Sequence, residues 1–103
     1  MSDSESLRPL QVAVLDRARL DELWGDLESL ASHLVVVLRY APNTDHACTY
    51  ERVSMAQAKE ALHAHTAHGV QLRYEYAGNC WCDTLLPIND GAKLVRVNDT
   101  FGK

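Results

Sequence analysis

The chain lacks most of the features that would place a protein at a glance. Its 103 residues contain no run of about 18 apolar positions, so no membrane-spanning helix is expected. The start, MSDSESLRP, is acidic and polar; it has neither the basic opening nor the apolar stretch of a secretory signal. Three cysteines are an odd number, which argues against a secreted disulfide framework and for a cytoplasmic setting. There is no basic cluster, and the net charge is −4. A phosphate backbone is therefore a poor partner, and nucleic acid is not expected. No Gly-x-Ser-x-Gly, phosphate loop or dinucleotide glycine motif occurs, which leaves common nucleophile and nucleotide chemistry without a sequence basis. Without an internal repeat, a low-complexity tract or a linker, the expectation is one domain over residues 1–103, with 1–6 as a disordered tail.

What is present is apolar content. Hydrophobic residues make up 47% of the chain, enough for a packed core. The acidic excess lies at one end. Met1 to Leu34 hold seven acids against three bases, while seven of each follow from Val35 onward. A solvated helix face accounts for that bias.

The strongest pattern is Val70 to Asn98. VQLRYEY, WCDTLLP and AKLVRVN are rich in strand formers, and turn residues separate them. This predicts a three-stranded antiparallel meander. With Gly78-Asn79 as a two-residue loop, Tyr76 faces Trp81, Tyr74 faces Asp83 and Leu72 faces Leu85. That register sorts Val70, Leu72, Tyr74, Tyr76, Trp81 and Leu85 from Gln71, Arg73, Glu75, Cys80, Cys82 and Thr84. With Asn89-Asp90-Gly91 as a three-residue loop, Leu86 faces Leu94. Val95 and Val97 then join the Leu72 face, and Leu94 and Arg96 the other.

Upstream, Leu10, Val12 and Val14 alternate, which suggests a short first strand. Asp16 can cap a helix carrying Leu20, Leu23, Trp24, Leu27, Leu30, Ala31 and Leu34 at helical spacing. The run Leu34–Tyr40 reads as a central strand buried on both faces. His46 to Arg52 fits a short edge strand or a loop. Ser54 with Gln57 forms a capping box for a second helix over Met55–His68, closed by Gly69. The fold class expected is α+β. It is a two-layer sandwich with one mixed or antiparallel sheet of four or five strands and two helices on one face.

Three functional readings follow. The leading one is a small cytoplasmic module that binds a protein partner, or itself as a dimer, through the meander. Tyr74, Tyr76 and Trp81 near the hairpin tip, with Arg73 and Arg96, are residue types that concentrate at interface hot spots. The helix-free face of Cys80, Cys82, Thr84, Leu86 and Leu94 adds uncovered apolar surface. No cofactor is required by this reading.

The second is a metal or thiol protein. In a strand, Cys80 and Cys82 point the same way, about 6.5 to 7 Å apart. His46 and Cys48 would complete a Cys3His set suited to zinc. The competing account treats the cysteines as small apolar residues. The third reading is an enzyme using Asp83 as acid or base, although such an Asp more often hydrogen-bonds a tyrosine hydroxyl. It requires a pocket of roughly 300 Å3 around Asp83. The balance leans away from an enzyme. His63, His65 and His68 are read as surface or capping residues.

Overall fold

A computed structural model describes residues 10–40 and 49–99. The expected tail at 1–6, together with His46 and Cys48, lies outside the described residues. The chain folds as β1 (Leu10–Asp16), α1 (Arg17–Leu30), β2 (Ser32–Tyr40), β3 (Thr49–Arg52), α2 (Met55–His63), β4 (Gly69–Tyr76), β5 (Asn79–Ile88) and β6 (Gly91–Asn98). It is an α+β protein with one sheet. The sheet has six strands instead of four or five, all antiparallel, in the order β1-β6-β5-β4-β2-β3. The two edges are β1 and β3. β1 pairs with β6 over seven residues, and β3 is a four-residue strand beside β2.

Both helices start where side-chain chemistry dictates. Asp16 Oδ1 accepts the backbone N–H of Arg19 at 2.8 Å, which satisfies an orphan donor of the first turn. At α2 the capping box is complete. Gln57 N–H donates to Ser54 Oγ, and Ser54 N–H donates to Gln57 Oε1.

The second helix ends earlier than Gly69. Its last turn closes by the N–H of His65 on the Leu62 carbonyl and that of Thr66 on the Ala61 carbonyl. His65 itself is left-handed at φ 57°. This is a Schellman closure with histidine where glycine is usual. His65 and His68 therefore share no helix face, and Gly69 opens β4 instead of capping α2.

The core lies on one side of the sheet. Leu20, Trp24 and Leu27 of α1 and Ala58, Ala61 and Leu62 of α2 pack with Val36, Leu38, Val70, Leu72, Tyr74, Leu85, Ala92 and Leu94. In the observed register these strand residues all share one face. Trp24 is buried, yet its indole N–H meets no hydrogen-bond partner among the described residues; packing alone holds it. β2 corrects the reading of Leu34–Tyr40 as buried on both faces. It alternates, with Val36 and Leu38 buried and Val35 and Val37 only half-covered. A continuous apolar run does not reveal which of its faces meets a helix.

The meander forms, with both turns shifted. The first loop is Ala77-Gly78, at φ 53° and 82°. Two positive φ values match the type I′ turn that suits strand twist. The pairings move by two positions, so Tyr74 lies opposite Trp81 and Leu72 opposite Asp83. An even shift leaves every side chain on its expected face.

The second loop is the two-residue Asn89-Asp90, with Ile88 paired to Gly91. Losing one loop residue turns β6 over. Leu94 and Arg96 lie on the helix side, and Val95 and Val97 lie on the bare side, the reverse of the expectation. Gly91 belongs to the strand because β1 runs against it. A Cβ there would collide with the Leu15 carbonyl oxygen.

Candidate functional site

Turning β6 over brings three polar side chains together under the helices. Asp83 is fully buried. Arg96 donates from Nε to Asp83 Oδ1 and from Nη2 to Oδ2, both at 2.8 Å, and Tyr74 Oη donates to Oδ2 at 2.9 Å. A buried carboxylate is tolerable only when paired and hydrogen-bonded in this way. Burial raises the Tyr74 hydroxyl far above its usual range, and the neighbouring Asp83 carboxylate adds to the rise. The hydrogen bond from Arg96 to Asp83 pushes the guanidinium up as well.

The trio acts as a structural clamp between β4, β5 and β6. A cleft of about 190 Å3 opens beside it, lined by Leu23, Asp26, Leu27, Leu30, Ala31, Tyr74, Tyr76 and Arg96. Asp83 is not among the residues that line it.

The opposite side of the sheet has a different character. One row crosses every strand: Val12, Val95, Thr84, Gln71, Val37 and Arg52 are successive neighbours. Val97, Cys82, Arg73 and Val35 form the next row, and Val14, Lys93 and Leu86 another. The half formed by β1, β6 and β5 is mainly apolar. Arg39, Arg52 and Arg73 lie in the half formed by β4, β2 and β3. No described helix covers this side.

β1 is the most open element. Gln11, Val12, Ala13 and Val14 are exposed on both of its faces, and Val12 and Val14 remain 55% and 71% accessible. Ordinary strands bury at least one face.

The expected interface residues thus separate. Tyr74 and Leu94 are buried in the core, each 7% exposed, and Arg96 is committed to Asp83. This corrects the placement of Leu94 and Arg96 on the helix-free face. Trp81 is half-buried on the helix side; its Nε1 donates to the Tyr76 carbonyl at 3.4 Å. Tyr76 is exposed at the tip. Arg73 and Leu86 do lie on the bare side, and Arg73 binds Gln71 Oε1 through Nε and Nη2.

Val95, Val97, Val12 and Val14 belong to the bare surface and were missed there. The alternation Leu10-Val12-Val14 carried the signal for the last two. Cys80 and Cys82 share that face, each half-buried. Burial raises the Cys82 thiol, and Arg73 partly offsets the rise. Among the described residues, no three His, Cys, Asp or Glu side chains gather closely enough to hold a metal.

No family model, curated protein or solved structure matches this chain. Among the described residues, no helix is long and apolar enough to cross a membrane.

Proposed function

We propose that the protein is an assembly module that associates with a second copy of itself at β1, the open strand at one edge of the sheet. The observation that carries this reading is β1, a seven-residue strand with Gln11 to Val14 open on both faces and its valines more than half accessible. An apolar surface of this kind, continuous with Val95, Val97, Thr84 and Leu86, is the usual mark of a contact site.

The buried clamp fits the same reading, since Asp83 spends both carboxylate oxygens on Arg96 and Tyr74.

Light scattering during size exclusion, run over a concentration series, tests the proposal. The expected mass rises from that of the 11.5 kDa chain toward twice that value. A mass that stays at one chain throughout would remove the proposal.

A further inference from the structure

The sheet has two edges, and they are not alike. β3 is short, four residues reading Thr-Tyr-Glu-Arg, with charges at Glu51 and Arg52. Short, charged edges resist pairing with another chain. β1 carries none of those protections. It is seven residues long, pairs with β6 without a register break, and reads LQVAVLD, with no proline or lysine and its single charge at the last position. Its outer backbone row has no neighbour among the described residues. Such a strand is a template for strand addition.

Resting on the self-association reading above, we infer that two copies join by antiparallel pairing of their β1 strands about a two-fold axis through Ala13, giving one continuous twelve-stranded sheet. The geometry selects that centre. Symmetric antiparallel pairing requires an axis perpendicular to the sheet, so each side chain stays on its own face. Facing residues must then share a face, and the axis passes through a residue instead of between two. Of the seven residues, Ala13 is the middle one, and only that centre pairs all seven.

Val12 then meets Val14 of the second copy, twice, on the bare side. Gln11 meets Leu15 of the second copy on the helix side, and the two Ala13 residues meet at the axis. No like charges face one another. Stacking the two bare faces is the rival arrangement. It would press two sets of Arg39, Arg52, Arg73 and Lys93 into one contact, whereas edge pairing leaves all of them outside it. A contact one strand long, roughly 23 Å, is at the low end of interface sizes. The dimer therefore forms progressively with concentration.

Two double variants at the exposed valines test the register, each followed by light scattering from about 10 µM to about 1 mM, the range in which weak contacts populate. V12K/V14K sets lysine against lysine across the two-fold, and the mass is expected to remain that of one chain. V12K/V14E sets lysine against glutamate at the same positions, and the mass is expected to rise again toward two chains. Circular dichroism of both variants establishes that the fold is intact. If wild type dimerises and both variants are monomeric, the contact is a stacked face and edge pairing is wrong. Dimers from both variants also overturn it, because the valines would then lie outside the contact. A wild type that never dimerises refutes the self-association reading itself, and edge pairing with it.

Discussion

Arg96 grips the carboxylate of Asp83 with two parallel 2.8 Å hydrogen bonds from the neighbouring strand. The pair exists because the Asn89-Asp90 loop is two residues long; one more residue would send Arg96 to the bare side and leave Asp83 uncompensated. Tyr74 completes the group from β4. Three successive strands are thus locked in one register by a single buried anion.

Breaking the clamp from one side should be severe. Arg96→Ala leaves a fully buried carboxylate with only a hydroxyl partner and is expected to destabilise by about 3 kcal/mol or more. Asp83→Leu combined with Arg96→Met removes both charges and should cost far less than that single change. Urea unfolding of the single and double variants measures the difference. A double variant as unstable as Arg96→Ala would mean that shape, not charge, holds the site.

Alkali should unfold the protein through the same group. The Tyr74 hydroxyl is raised in the folded chain by burial and by Asp83, whereas in an unfolded chain it ionises near about pH 10. The folded state therefore holds its proton more tightly. That contribution is complete below about pH 10 and is lost as the pH rises above it. Tyr74→Phe should flatten this part of the stability profile while lowering neutral-pH stability by about 1 kcal/mol for the lost hydrogen bond. An unchanged alkaline slope in the variant would show that another group governs it.

Gly91→Ala should be costly although the site is a strand and not a turn. The added Cβ meets the Leu15 carbonyl oxygen, a backbone atom that cannot rotate away. Separation of β1 from β6, with a loss of about 1–3 kcal/mol, is expected. Amide exchange would show it first in Leu10–Asp16. If protection there is retained, the two strands have room for the added carbon.

Ala77→Asn should stabilise. Ala77 occupies the left-handed region at φ 53° in the first position of a two-residue loop, and asparagine accepts that conformation more readily than alanine. An increase of about 0.5–1 kcal/mol in thermal or urea unfolding is expected. No gain would mean that the loop relaxes in solution.

The residue pattern made much of the architecture legible, and the places where it fell short have local causes. Asp16, Ser54 and Gln57 carried the helix starts because capping is a short-range hydrogen bond. The sorting of β4 from β5 survived a misplaced turn because the shift was even. Glycine in Asn89-Asp90-Gly91 resembled a left-handed turn residue; its true constraint is the Leu15 carbonyl, from a strand more than seventy residues earlier. That one residue placed Leu94, Val95, Arg96 and Val97 on the wrong sides. The Asp83–Tyr74 hydrogen bond was legible from Asp83 falling on the apolar face, and Arg96 was not, because its face depended on the same turn. The exposed side of β1 was only half visible, since alternation reveals a strand without revealing whether anything covers it.

The central claim, that the open strand β1 is where a second copy adds, is tested most directly by amide hydrogen exchange of Gln11 to Leu15 in dilute and in concentrated solution. The alternate amides of this segment that point away from β6 are expected to exchange rapidly when dilute and to become protected as concentration rises, while amides of β3 stay unchanged. Equal exchange of β1 at both concentrations would contradict it.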